Sequence, residues 1–217
     1  MTHASTVLFV AAVAISAACA IVAAARGDRP GFTFFKPLTT CIILFGAAWL
    51  VRPGIQPYRG LVVLALALSL AGDILLVLPA NRFTAGLVAF LLAHVAYIAA
   101  FSTGNPPAVG QLPWLAPFLA FNAAIVAYVW NGIGKVRRPL LLYVVAISVM
   151  VWRAATRGHV AVPRPSYLFA LVGACLFVAS DAILVVRRFR RPFRAAHELE
   201  LSAYWAAQLL IALSVRM

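Results

Sequence analysis

The chain predicts an all-α fold, a multi-pass transmembrane bundle of about eight helices, on three observations. Of its 217 residues 65% are hydrophobic and only 11% are charged, whereas a soluble surface is roughly a quarter to a third charged. The apolar residues fall in runs long enough to cross a bilayer, about 20 helical residues each. Short clusters of Gly, Pro, Asn and basic residues, the usual punctuation of helix ends, separate these runs. No low-complexity tail or linker marks a second domain, so residues 1–217 read as one.

The runs lie at about 5–25, 33–51, 60–79, 84–101, 113–131, 139–157, 166–186 and 199–215. Ala, Ser and Cys crowd the end of the first as in a signal peptide, but no Lys or Arg precedes it, so a retained helix is expected. It closes at Arg26-Gly27-Asp28-Arg29-Pro30-Gly31. Pro37 predicts that the second helix starts beside Lys36, since Pro suits the first helical turn, and Arg52-Pro53-Gly54 ends it. The third carries Asp73 in the phrase Ala71-Gly72-Asp73-Ile74-Leu75-Leu76-Val77-Leu78.

On the fourth, Phe83, Gly86, Phe90, His94, Tyr97 and Phe101 recur at steps of three or four and share one stripe. That stripe is either helix packing or an aromatic wall for a hydrocarbon chain. Gly104-Asn105-Pro106-Pro107 and Asn131-Gly132-Ile133-Gly134 bracket the fifth. Arg153, in the sixth, is expected to snorkel to the interface. The seventh sets Gly173, Phe177, Asp181 and Leu184 on one stripe, and Ala179-Ser180-Asp181-Ala182-Ile183-Leu184-Val185-Val186 repeats the context of Asp73. An internal repeat relating helices 3–4 to 7–8 is therefore a possibility. The eighth opens with Glu198 and Glu200, expected as charges that suit the helix dipole, and then sets Leu201, Tyr204, Gln208 and Ile211 on one face.

The net charge of +13 resides in clusters between apolar runs, which points to orientation signals and lipid headgroups and away from nucleic acid. Twelve of the eighteen basic residues, among them Arg26, Arg29, Lys36, Arg82 and the cluster from Arg187 to Arg194, fall in alternate connections after helices 1, 3, 5 and 7. Basic residues stay cytoplasmic, so both termini of a cell-membrane protein are expected outside. Cys19, Cys41 and Cys175 lie in separate runs and read as small core residues with no disulfide or zinc site.

An ionisable side chain at membrane depth marks a functional site by default. At 1.5 Å per residue Asp73 and Asp181 lie about 9 and 8 Å from the cytoplasmic ends of their helices, Tyr204 about 8 Å, Lys36 about 5 Å, and His94 and Gln208 about 14–15 Å. Polar groups from five helices thus gather in one half of the membrane. Interhelical bonds contribute about 0.6–2 kcal/mol against about 2.5–3.5 kcal/mol to insert a central Asp, which argues against the aspartates as mere glue. Acid–base catalysis and proton-coupled transport both remain. Lys36 either snorkels or holds a phosphate. The sequence contains no GxSxG elbow and no HExxH pair, and its four histidines are scattered.

Lys36-Pro37-Leu38, Gly72-Asp73-Ile74-Leu75-Leu76, the Phe-x-x-Gly and His-x-x-Tyr spacings between Phe83 and Tyr97, Gly173-Ala174-Cys175-Leu176-Phe177 with Ser180-Asp181, and Tyr204-x-x-x-Gln208 with Ser214 occur in an order that resembles the YhhN-type lysoplasmalogenase family of integral membrane hydrolases. The resemblance covers helices 2 to 8. It implies an ether hydrolase that cleaves the vinyl ether bond of lysoplasmalogens to a fatty aldehyde and glycerophosphocholine or glycerophosphoethanolamine, with Asp73 and Asp181 catalytic and no metal or other cofactor. Enol ethers hydrolyse by protonation at carbon, and two close carboxyls that cannot both ionise supply one acid and one carboxylate. In that scheme Tyr204 and Gln208 orient a carboxyl or water, His94 tunes the pair, and Lys36 with loop arginines attracts the phosphate of a lysophospholipid whose tail lies along Phe90, Tyr97 and the other rings of helix 4.

Overall fold

The computed structural model describes residues 3–50, 56–78, 82–160, 162–190 and 193–215. Among them every regular element is a helix: α1 His3–Arg26, α2 Arg29–Phe45, α3 Gln56–Val77, α4 Phe83–Ser102, α5 Ala116–Val129, α6 Arg137–Thr156, α7 Arg164–Phe189 and α8 Ala196–Ser214. A π-helical segment Gly46–Leu50 prolongs α2, and a 3₁₀ segment Val109–Leu115 precedes α5. The Arg52-Pro53-Gly54 turn, Arg191 and Arg216 lie outside the described residues.

Helix α2 begins earlier than Pro37 suggested. Asp28 caps it by accepting a hydrogen bond from the Gly31 amide at 3.1 Å, and Pro30 occupies the first turn. Pro37 lies inside the helix, so Lys36 stands seven residues, about 10 Å, past Arg29. The helix start follows the residue that supplies an acceptor to the orphan amides, since a proline alone supplies none.

Helices α1 to α7, with the segments that prolong α2, α5 and α6, have the length and apolar composition to cross a membrane, and the chain is a multi-pass membrane protein. Helix α8 is more polar, yet it lies antiparallel along α7. Ser180 Oγ donates to Glu200 O (2.9 Å) at one end and Ser166 Oγ to Ser214 O (2.6 Å) at the other. Midway, a Cβ on Gly173 would come within 2.9 Å of Ala207 O, so only glycine lets the two backbones meet there. Helix α3 pairs with α4 in the same manner; a Cβ on Gly72 would strike the Phe90 ring at 2.6 Å. Helix α1 packs on α2 and α8, burying Phe9 and Val13 and joining Ser16 to Thr39 at 2.8 Å.

Two expectations are corrected at the periphery. Cys41 and Cys175 are exposed on the outer surface, because lipid accepts a small weakly polar thiol as readily as a core does. Arg153 does not snorkel: it is 2% exposed. Its guanidinium donates to Ser102 Oγ (2.9 Å), Gln111 Oε1 (3.4 Å) and the Asn105 carbonyl, and it stands over the Trp152 ring. A planar fork that satisfies three acceptors inside the protein outweighs the route to the interface. Arg157 nearby donates to Tyr58 OH at 2.9 Å. Arg153→Met is expected to lower unfolding stability in detergent by about 2–4 kcal/mol, the cost of leaving buried acceptors unpaired, while turnover per folded molecule is retained.

Candidate active site

The other end of the bundle holds the aspartates. Helix α3 delivers Asp73 with 0% exposure, and two other helices, α2 and α8, furnish its partners. Thr40 Oγ1 donates to Oδ2 at 2.6 Å, Tyr204 OH donates to the same oxygen at 2.7 Å, and Lys36 Nζ stands 3.5 Å from Oδ1. Lys36 and Thr40 are one turn apart on α2, so a single helical face presents both. Lys36 is 6% exposed and neither snorkels nor waits for a phosphate alone; its charge is committed to Asp73.

Asp181, on α7, has a different environment. Tyr143 OH donates to its Oδ2 at 2.6 Å, and His94 Nε2 lies 3.7 Å away. His94 Nδ1 is 2.6 Å from the Phe90 carbonyl. A carbonyl only accepts, so Nδ1 carries the proton and Nε2 turns its lone pair toward Asp181. Asp73 and Asp181 share no hydrogen bond among the described residues. Each carboxyl is held by its own set of partners.

Both carboxylates line one narrow slot of about 30 Å³, walled by Phe90, Leu87, Leu201 and Tyr204, enough room for water. The slot joins a wider vestibule of about 250 Å³ through Lys36, Leu76, Phe83, Leu184 and Glu200, which line both. Arg82, Arg187, Arg188 and His197 line the vestibule, and Arg188 stands over the Phe83 ring at 5.0 Å. Glu200 binds Arg187 at 2.7 Å.

Phe90 forms the slot wall, as the aromatic stripe of α4 suggested, but the stripe divides below it. Tyr97 and Phe101 are 0% exposed and stack at 6.0 Å, while Phe177 meets Phe90, His94, Tyr97 and Tyr204 edge-on. Those rings fill the interior, so a lipid tail has no place along the lower half of α4. Tyr97 OH donates to Gln208 Oε1 at 2.6 Å; the pair supports Tyr204 from behind and lies outside the slot lining.

Three site residues escaped the sequence reading. Glu200, taken as a dipole charge, is buried at 4%; its position one turn before Tyr204 and two before Gln208 was a usable signal. Thr40 carried a weaker one through Lys36. Tyr143 carried none, because its helix shows no polar stripe around it.

Comparison with known proteins places the chain in a family. The chain matches the model of the YhhN family over residues 31–215. It is 31% identical over 206 residues to a protein of Escherichia coli O157:H7 named uncharacterized membrane protein YhhN, covering 94% of this chain and 96% of that one. Human lysoplasmalogenase TMEM86B is 32% identical over 185 residues, 84% of this chain and 76% of its own. A Mycobacterium tuberculosis protein named lysoplasmalogenase is 32% identical over 176 residues, 78% of this chain and 65% of its own. No solved structure matches.

Proposed function

The chain belongs to the YhhN family, and from that premise we propose that it is a membrane hydrolase of the vinyl ether bond of lysoplasmalogens, releasing a fatty aldehyde and glycerophosphocholine or glycerophosphoethanolamine. The observation that carries the reading is the placement of two differently partnered aspartates on one water-sized slot, beside a basic vestibule suited to a phosphodiester. Relatives named lysoplasmalogenase support the substrate class.

The partners divide the labour. Asp73, with two hydroxyl donors and an ammonium, is the carboxylate. Asp181 has one phenol donor and no Lys or Arg ion pair among the described residues, and an unpaired carboxylate in an apolar cleft is cheaper protonated, so Asp181 is the acid. Its proton goes to the vinyl carbon distal to the ether oxygen and leaves an oxocarbenium ion, a cation of the kind a glycosidase carboxylate pair stabilises. Water adds to that ion while Asp73 takes the proton it sheds. The resulting hemiacetal collapses: its hydroxyl proton returns to Asp181, and Asp73 protonates the departing glycerol oxygen. One water is consumed, and both aspartates end as they began.

Tyr143 and His94 orient Asp181, Tyr204 and Thr40 orient Asp73, and Arg82, Arg187 and Arg188 attract the phosphate. The site end of the bundle carries most of the basic connections, which favours its facing the cytoplasm with both termini outside.

Purified protein in detergent, given lysoplasmenylethanolamine, is expected to release aldehyde, read by a coupled aldehyde dehydrogenase. Absence of aldehyde from protein of normal thermal stability would overturn the reading. A proton-coupled carrier would act only in sealed vesicles with a gradient, and the ring cluster packed beneath the slot argues against a path through the bundle.

A further inference from the structure

We propose that the groove between the first turns of α2 and the last turns of α3 is a lateral portal that holds the hydrocarbon chain of the substrate, with Leu76 and Phe32 as its posts. The proposal rests on the lysolipid reading above and adds where the tail goes. The lower half of α4 is closed by packed rings, so a chain attached to a vinyl ether at the slot must leave sideways.

The groove, about 750 Å³, is lined by Pro30, Phe32, Thr33, Phe34, Leu76 and Val77, with Arg29 at its rim. Leu76 lines the slot, the vestibule and the groove, and Phe32 lines the vestibule and the groove. Among the described residues these side chains stand between the carboxylates, the basic vestibule and the outer groove. Phe34, 62% exposed, shows the groove to the bilayer.

Charge fixes the occupant as an amphiphile. Arg82, Arg187 and Arg188 against Glu200 make the vestibule cationic, while the groove is largely apolar apart from Arg29 and Thr33. A single-chain phospholipid resting in the leaflet has its phosphate at the interface and its chain below. It can slide its headgroup into the vestibule while its tail remains in contact with lipid, which avoids the cost of about 0.8 kcal/mol for each methylene drawn into water. Leu76 also lies over Gly86, where a Cβ would meet its Cδ2 at 2.7 Å.

The test has two arms. In the first, full-length protein in nanodiscs is photolysed with a lysophosphatidylethanolamine bearing a diazirine on its chain, and the label is mapped by mass spectrometry. Label concentrated on residues 29–34 and 76–77, and reduced at least five-fold by excess unlabelled lysophosphatidylethanolamine, is the expected result. Even labelling of all lipid-facing helices, label on α4, or label that does not compete would overturn the portal. This arm needs no turnover, so it stands whether or not the vinyl ether reading does.

In the second arm Thr33→Trp, which fills the exposed groove without touching the core, is assayed on hexadecenyl and octenyl lysoplasmalogens. The ratio of kcat/KM, long chain over short, is expected to fall at least five-fold. An unchanged ratio refutes the proposal. If the wild-type protein hydrolyses neither substrate, it is the vinyl ether reading that fails, and the label map alone decides the portal.

Discussion

Asp181→Asn is expected to lower kcat for aldehyde release by about 10²–10⁴-fold, the usual contribution of a positioned general acid, with little change in thermal stability. The substitution keeps the size of the side chain, and Tyr143 OH, now 2.6 Å from Oδ2, still finds an acceptor in the amide oxygen. What disappears is the transferable proton. Steady-state kinetics beside a melting curve in the same detergent decide the matter: turnover within ten-fold of wild type would remove Asp181 from the role of acid.

Asp73 has a larger structural component, because its partner is a buried ammonium. Asp73→Asn leaves the Lys36 charge without its counter-ion, and Lys36→Met leaves a carboxylate with only two hydroxyl donors; side-chain exposures of 8% and 0% place both in the regime where breaking a buried pair costs about 3–5 kcal/mol. Each single variant is therefore expected to melt early. The double variant Lys36→Met with Asp73→Asn removes both charges and is expected to recover at least half of the lost stability, since an apolar replacement of a buried pair is often neutral. Activity is not expected to return with it. A double variant as unstable as the sum of the singles would show that the two residues are not coupled, and one that hydrolyses substrate would show that Asp73 is not the catalytic carboxylate.

Much of the fold was legible because membrane helices are written locally. Apolar runs predicted eight helices, and α1 to α8 occupy them with shifts of a few residues at the ends. At the start of α2, Pro37 is the signal the sequence offers, whereas the Asp28 cap and Pro30 set the first turn. The stripes on α4, α7 and α8 face inward as their spacing required: His94, Tyr97, Phe177, Tyr204 and Gln208 are all buried. Residue rise also predicted that Lys36, Asp73, Asp181 and Tyr204 lie near one level; all four line one slot, although Lys36 stands about 10 Å, not about 5 Å, into α2.

Hydropathy could not say which stripe meets which. Arg153 and Lys36 looked alike as basic residues near helix ends, yet one is held at the far end of the bundle by Ser102, Gln111 and Asn105 and the other by Asp73 in the site. From the sequence Glu200 is a charge that suits the helix dipole; in the fold α7 sets Arg187 against it. By itself the chain determined a helical membrane bundle with two carboxylates at a common depth, because helix length, periodicity and rise depend on neighbours in sequence. Tertiary structure alone decided that Asp73 receives an ammonium and two hydroxyls while Asp181 receives a phenol. Those partners arrive from other helices, whose rotation and approach are set by contacts such as Gly72 on Phe90 and Gly173 on Ala207.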